Sequence, residues 1–283
     1  IVLIDINKEK DFGEALDIYQ AAPFCSPAIV RCGDYPDAAD SDIVVITSGV
    51  ARKPGQSRLD LAQTNVNILK DITPNIVKVA PKAVYIIVSN PVDILTYVFS
   101  KISGLPEHQI MGSGTILDTS RLQSTLATRF HISPKNVHAH VYGEHGDSSF
   151  VPWSLVHIAN NHIDSYAANS PDHDKIVWNR EYQEVEEFVK RSGAQVIKSK
   201  GATFYAVAMS VCHLCKCLRN SAGTVSTLMH GEYGVSDVCL STLCLVDRDG
   251  VRGKILNHLT DSEVDQLRMS ADKLKDVLRQ IKF

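Results

Sequence analysis

Gly143-Glu144-His145-Gly146-Asp147 sets one imidazole between two glycines at the end of an apolar run, Val137 to Tyr142. Histidine has the side-chain pKa nearest neutrality, so it can give a proton in one direction of a reaction and take it back in the other. The glycines let the backbone turn tightly and keep bulky groups away from the ring. A polar turn with a solvated histidine is the plain alternative, and partners elsewhere in the chain decide between the two. Leu117-Asp118-Thr119-Ser120-Arg121 opens an apolar-periodic stretch (Leu122, Leu126, Phe130), which predicts a helix start with Asp118 and Arg121 on one face. A carboxylate beside an imidazole holds its tautomer and raises its proton affinity, and an arginine fork donates two parallel hydrogen bonds to a carboxylate. The same two residues would otherwise form an ordinary surface ion pair. Val88-Ser89-Asn90-Pro91-Val92-Asp93 follows the run Ala83 to Ile87, which reads as a buried strand. Asn90 then lies at a carboxyl strand end, where open α/β sheets bind ligands, unless the segment is only a strand-to-helix turn with Pro91 at the first helical position.

Those residues need a scaffold. Ile1 to Asp5, Ala28 to Arg31, Ile43 to Thr47 and Ala83 to Ser89 read as short buried strands, with helical spacing over Leu59 to Thr73 and Val92 to Ile102. Continuous apolar strands alternating with helices predict an α/β protein with a doubly wound, mostly parallel sheet. Beyond about residue 136 the texture changes. Helical stretches Trp178 to Lys198 and Phe204 to Leu218 precede Val225 to His230 and Val238 to Val246, which read as antiparallel strands closed by Asp249-Gly250. A final amphipathic helix opens at the capping box Thr260-Asp261-Ser262-Glu263. The expected division is two lobes sharing a cleft, residues 1–112 and residues 113–283, the second an α+β unit.

The 283 residues carry 44% hydrophobic side chains and a net charge of -3, the profile of a soluble globular protein. There is no basic stripe with interleaved aromatics for nucleic acid, and the apolar runs are too short to span a bilayer. With no signal peptide before the first strand, a cytoplasmic location is expected. Seven irregularly scattered cysteines do not describe a disulfide framework. Cys212, His213, Cys215 and Cys217 are zinc-ligand types, but they fall inside an apolar helical stretch and read as buried thiols, so no metal is expected.

With these motifs in this order, and with Arg52-Lys53-Pro54-Gly55-Gln56-Ser57-Arg58 matching a mobile substrate loop, the chain resembles the L-lactate/malate dehydrogenase family from Ile1 to Phe283. The resemblance implies a Rossmann sheet, NAD as cofactor, a small 2-keto or 2-hydroxy acid as substrate, and a homo-oligomer, tetramer or dimer. It implies that His145 is the acid/base, that Asp118 stabilises its imidazolium, and that Arg121 clamps the substrate carboxylate. Arg58 would close over the substrate and polarise its carbonyl, to which Asn90 would donate a hydrogen bond. Asp5 would hold the adenine ribose with Lys10 and Tyr35 nearby, while Ser48, Gly49, Val88, Ser89 and Asn90 would line the strand ends beneath the dinucleotide. Arg52 occupies the position facing the substrate's variable end, where arginine usually accompanies malate. Thr203, Val207, Glu144 and Trp153-Ser154 instead resemble the lactate branch, and pyruvate reduction is the expected reaction, with oxaloacetate as the alternative. His138 matches the histidine of an allosteric phosphate site in some relatives, but Gln123 stands where that site has arginine. A dinucleotide fold also needs a glycine-rich turn after its first strand, about 20 residues before the ribose-binding acid. No such turn precedes Asp5, and Gly112-Ser113-Gly114 comes too late to replace it. The expectation is of a fragment whose first strand, glycine turn and helix lie upstream of Ile1; the alternative is an inactive relative.

Overall fold

The computed structural model describes residues 1–25, 27–51, 57–176 and 178–283. At the amino end β1 (Val2–Leu3) runs parallel to β2 (Arg31–Cys32), with α1 (Lys8–Ala21) between them. Asn7 caps α1 by accepting the Lys10 N–H, and the Asp5 carboxylate accepts the Asn7 N–H at 2.8 Å, so the strand-to-helix turn is closed by side chains. The β2 ladder begins at Arg31, at the far end of the predicted strand, and Ile29 before it is exposed.

The next elements are β3 (Ile43–Ile46), α2 (Arg58–Val79), β4 (Val84–Ile87), α3 (Val92–Ile102) and β5 (Ile110–Gly112), with β3, β4 and β5 neighbouring and parallel. Every residue of β4 is buried, as an apolar strand covered on both faces requires. Helix α2 continues through Pro74, beyond the predicted end at Thr73. Proline removes one helical hydrogen bond, but burial of Leu69 and Ile76 in the core on either side offsets that loss.

After α4 (Ile116–Arg129) come the short strands β6 (Val137–His138), β7 (His157–Ile158) and β8 (Asn161–His162), a small antiparallel meander. Then follow α5 (Ile163–Asn169), α6 (Tyr182–Lys200), α7 (Tyr205–Cys217), β9 (Ser221–His230), β10 (Ser236–Asp247), β11 (Gly250–Lys254) and α8 (Asp261–Leu278). The late antiparallel strands do not form a sheet of their own. They extend the parallel one in the order β11-β10-β9-β5-β4-β3, joined where Gly112 of β5 pairs with Ser226 of β9. A side chain at Gly112 would collide with the Thr96 hydroxyl and crowd Ser226, so glycine permits this junction.

The pair β1-β2 is a separate two-stranded sheet, and among the described residues no backbone hydrogen bond links β1 to β3. Among the described residues no helix is long and apolar enough to cross a membrane.

Helix α8 secures the C-terminal half. Its capping box forms as the sequence predicts, and the buried Glu263 carboxylate also accepts the Ser154 N–H at 3.0 Å and the Ser154 hydroxyl at 2.7 Å. Replacing Glu263 by alanine would strand those donors and the Thr260 N–H. Chemical denaturation of Glu263→Ala should show a loss of about 2–3 kcal/mol, summing a lost cap and buried unpaired donors.

Candidate active site

The segment bearing His145 is a loop pinned at its root. Tyr142 and Phe150 exchange N–H···O bonds of 2.9 and 3.0 Å, and Gly143 and Ser241 of β10 exchange two of 3.0 Å. Gly143 has φ +91, and a Cβ there would stand 2.8 Å from the Ser270 hydroxyl of α8, so both conformation and space call for glycine. That Ser270 oxygen accepts the Glu144 N–H at 2.8 Å. From the other side the first turn of α4 brackets Val141: Thr115 donates to its carbonyl, and the Thr119 hydroxyl accepts its N–H at 2.9 Å. Positions 115 and 119 share a helical face, so one helix turn fixes the height of the segment that leads into the loop.

This alignment brings Asp118 to His145. The Asp118 Oδ2 lies 2.6 Å from His145 Nδ1, and Arg121 Nη1 donates to Asp118 Oδ1 at 2.7 Å. The side chains are 7% (Asp118), 17% (Arg121) and 26% (His145) exposed, so this is no surface ion pair. Burial alone would raise the Asp118 pKa, but the imidazolium and the guanidinium outweigh it and hold the carboxyl below the usual range. Burial alone would lower His145; the charge and hydrogen bond of Asp118, with Asp93 adding, instead raise it from 6.5 to about 9. With Nδ1–H directed at the carboxylate, Nε2 is the nitrogen that can meet a substrate.

Arg121 also faces α6, where a Cβ on Gly193 would stand 3.4 Å from its Nη2. Asn90 is exposed at the carboxyl end of β4. Asn65 of α2, which sequence reading did not single out, braces that end: its Nδ2 donates to the carbonyls of Asn90 (2.7 Å) and Val50 (3.2 Å), and its Oδ1 accepts the Val50 N–H. Ser89 donates to the Ser48 carbonyl at 2.7 Å, so Ser48, Gly49, Val88 and Ser89 form the adjoining ends of β3 and β4. Asp5 is exposed at the carboxyl side of β1, Lys10 lies in the first turn of α1, and Tyr35 is half-buried beyond β2. Lys8, also missed, pairs with Asp34 at 2.6 Å across this end.

Thr203 is half-buried between α6 and α7, and among the described residues it makes no hydrogen bond to Asp118, Arg121 or His145. Arg58 is the first residue of α2, behind the cap Ser57, and not part of the loop itself. Arg52 and the Arg58 side chain lie outside what is described. Gln123 donates to the Ala139 carbonyl at 3.1 Å, and neighbouring His138 is exposed. The cysteines of α7 range from exposed Cys212 to buried Cys217, whose sulfur is 3.5 Å from His213 Nε2. Among the described residues no cluster of metal-ligating side chains occurs.

The remaining missed residues are the small hydroxyls Thr115, Thr119, Ser226, Ser241 and Ser270. Their contacts join segments far apart in the chain, and no local pattern marks them.

A family model described as the lactate/malate dehydrogenase NAD binding domain matches residues 1–112, and one described as the family's alpha/beta C-terminal domain matches residues 115–282. The chain belongs to the lactate/malate dehydrogenase family. NAD is its cofactor, and the ends of β3 and β4 fit that group, rising from a buried strand core to exposed Ser48, Gly49 and Asn90. The L-lactate dehydrogenase of Thermoanaerobacterium saccharolyticum is 43% identical over 99% of this chain and 90% of its own length. A lactate dehydrogenase from a Medee basin deep-sea metagenome library superposes with a TM-score of 0.94 at 33% identity, covering 100% of this chain and 90% of that one. The minor L-lactate dehydrogenase of Enterococcus mundtii superposes with a TM-score of 0.92 at 34% identity and the same coverage.

The raised His145 pKa has a stability consequence. A folded-state pKa above the unfolded value contributes stability that is complete below 6.5 and is lost as pH rises through about 9. Thermal melts across that window should show Tm falling by roughly 2–6 °C more in the parent protein than in His145→Asn. Parallel curves would mean that the pair is not ionised as described.

Proposed function

We propose that this protein is an NAD-dependent L-lactate dehydrogenase, interconverting pyruvate and L-lactate with His145 as acid/base. The observation that carries the reading is the buried Asp118–His145 pair with Arg121 one helical turn away. The names of its relatives support the substrate.

Bound NAD supplies the hydride acceptor or, reduced, the hydride donor at the substrate's C2. The protein's own part is proton and charge management. His145 Nε2 donates its proton to the carbonyl oxygen as that oxygen gains charge, and takes it back in the reverse direction. Asp118 remains a carboxylate throughout and steadies the imidazolium. Arg121 donates to the substrate carboxylate, Asn90 donates to the reacting oxygen, and Arg58 adds positive charge beside it, stabilisation that grows as the oxyanion develops. Thr203 lines the far side of the substrate. Asp5, with Lys10 and Tyr35, would hold the adenosine end of the cofactor, and Ser48, Gly49, Val88 and Ser89 its middle. Residues 1–112 serve the nucleotide and residues 113–283 the substrate. A homo-oligomer, dimer or tetramer, is supported by exposed Phe188, Val196 and Ile197 of α6 and by Phe204, Tyr205 and Met209 beside and along α7. A cytoplasmic location completes the reading.

One residue favours a second substrate. Arg52 would be desolvated against the methyl of pyruvate without a partner, whereas oxaloacetate brings a second carboxylate to meet it. The ratio of kcat/KM for pyruvate and oxaloacetate at saturating NADH decides this. Pyruvate should be preferred, and Arg52→Gln should lower oxaloacetate turnover at least ~10-fold while leaving pyruvate turnover intact or improved. A strong preference for oxaloacetate would sink the lactate reading.

His145→Asn tests the acid/base role. Turnover should fall about 10²–10⁴-fold with NADH affinity nearly unchanged, because a positioned proton donor contributes that much and, among the described residues, the ring's hydrogen bond is to Asp118. Near-normal turnover per folded molecule would remove the mechanism.

A further inference from the structure

Beside His145 the structure holds a second acid. Asp93 lies in the first turn of α3, its residue 2% exposed. Its Oδ2 accepts the backbone N–H of His145 at 2.8 Å, and its Oδ1 accepts the hydroxyl of Ser226 on β9 at 2.6 Å. We propose that Asp93 is a positioning residue for His145, anchoring the histidine's backbone from α3 and setting a second negative charge beside the imidazolium. The inference rests on the acid/base reading of His145 and adds to it.

The chemistry of the site argues for a role of the charge itself. Among the described residues no lysine or arginine forms an ion pair with Asp93. The groups that act on it electrostatically are His145 and Glu144 from the loop, with Ser226 from β9 as hydrogen-bond donor, and the buried thiol of Cys239 on β10 feels its charge. Burial pushes the Asp93 carboxyl up to about 6, against the hydrogen bonds from Ser226 and His145. At neutral pH it is therefore mostly ionised, at a cost to the fold. If anchoring were all that was needed, asparagine would serve: its amide oxygen can accept the His145 N–H, and the Ser226 hydroxyl can turn to accept from its amide nitrogen. A carboxylate where an amide suffices is explained by the nearby imidazolium, since its charge adds to that of Asp118 in raising the proton affinity of His145.

Position adds a second consequence. Asp93 is three residues beyond Asn90, across one turn. The turn after β4 thus carries both the group assigned to the substrate oxygen and the anchor of the proton donor, so the two are held at one spacing by a single helix start.

The test compares Asp93→Asn, Ser226→Ala and His145→Asn in the full protein, reading Tm, NADH affinity and the pH profile of kcat/KM for pyruvate. Asp93→Asn should keep NADH affinity within about twofold and melt at the same temperature or higher, because a buried charge is gone and its hydrogen bonds are kept. Its profile should lose activity on the alkaline side about one pH unit earlier, equivalent to a tenfold loss at a fixed pH on that limb. Ser226→Ala removes one anchor and a hydrogen bond that favours the carboxylate, which moves the Asp93 titration up but leaves it ionised on the alkaline side, so its alkaline limb should stay in place while kcat falls. An unmoved limb in Asp93→Asn, or a variant that melts lower or fails to fold, would overturn the role of the charge. An unchanged kcat in Ser226→Ala would overturn the anchoring. His145→Asn separates this proposal from the reading beneath it. If that variant loses turnover while Asp93→Asn matches the parent, only Asp93 loses its role; if His145→Asn keeps turnover, the acid/base reading itself is wrong.

Discussion

The contact between Asp118 and His145 is the constraint around which the C-terminal half is organised. A carboxylate this deeply buried would ordinarily take up a proton, and an imidazole this enclosed would ordinarily lose one. At 2.6 Å each reverses the tendency of the other, with the guanidinium of Arg121 completing the neutralisation. The result is a proton held on an imidazole near neutral pH and available at the nitrogen that faces away from the carboxylate.

Such a pair is stable only if its two halves cannot drift apart, and the halves come from different elements. Asp118 rides on α4, which is rigid. His145 is on a loop, and the structure spends many hydrogen bonds on making that loop behave like a secondary-structure element. Thr115 and Thr119 clamp Val141, Ser241 bridges Gly143, Ser270 holds Glu144, and Asp93 holds His145 itself. Four different elements, α3, α4, α8 and β10, therefore meet at five consecutive residues. Removing any one of these partners leaves a backbone group of the segment unpaired, which is why the arrangement acts as a unit.

The sheet carries this organisation across the molecule. Because β9 pairs with β5, the strands of the C-terminal half continue those of the N-terminal half, and the turn at the end of β4 lies beside the histidine loop through Asp93 and Ser226. The histidine loop and the strand ends thus share one platform.

Much of this was legible in the residues alone. The apolar runs of β3 and β4 and the whole of α3 were readable because periodicity and burial are local signals, and the capping box at Thr260 announces α8 in four residues. The motifs around Asn90, Asp118 and His145 were readable because each needs a particular side chain beside particular backbone chemistry. The geometry between them was not. Whether Asp118 and Arg121 form an exposed pair or a buried one with His145 depends on what covers α4. The extension of the parallel sheet by β9 and β10 depends on Gly112 meeting Ser226, residues more than a hundred positions apart. Nothing local distinguishes Asp93 from any acid in a first helical turn, where acids are favoured anyway. The sequence by itself determined which groups have side chains suited to the chemistry and which of the strongly periodic segments are helix or strand, since those follow from side-chain type and spacing along one stretch of chain. Only the tertiary structure decided which of those groups are buried against one another, because burial and long-range hydrogen bonding arise between segments that the linear order keeps apart.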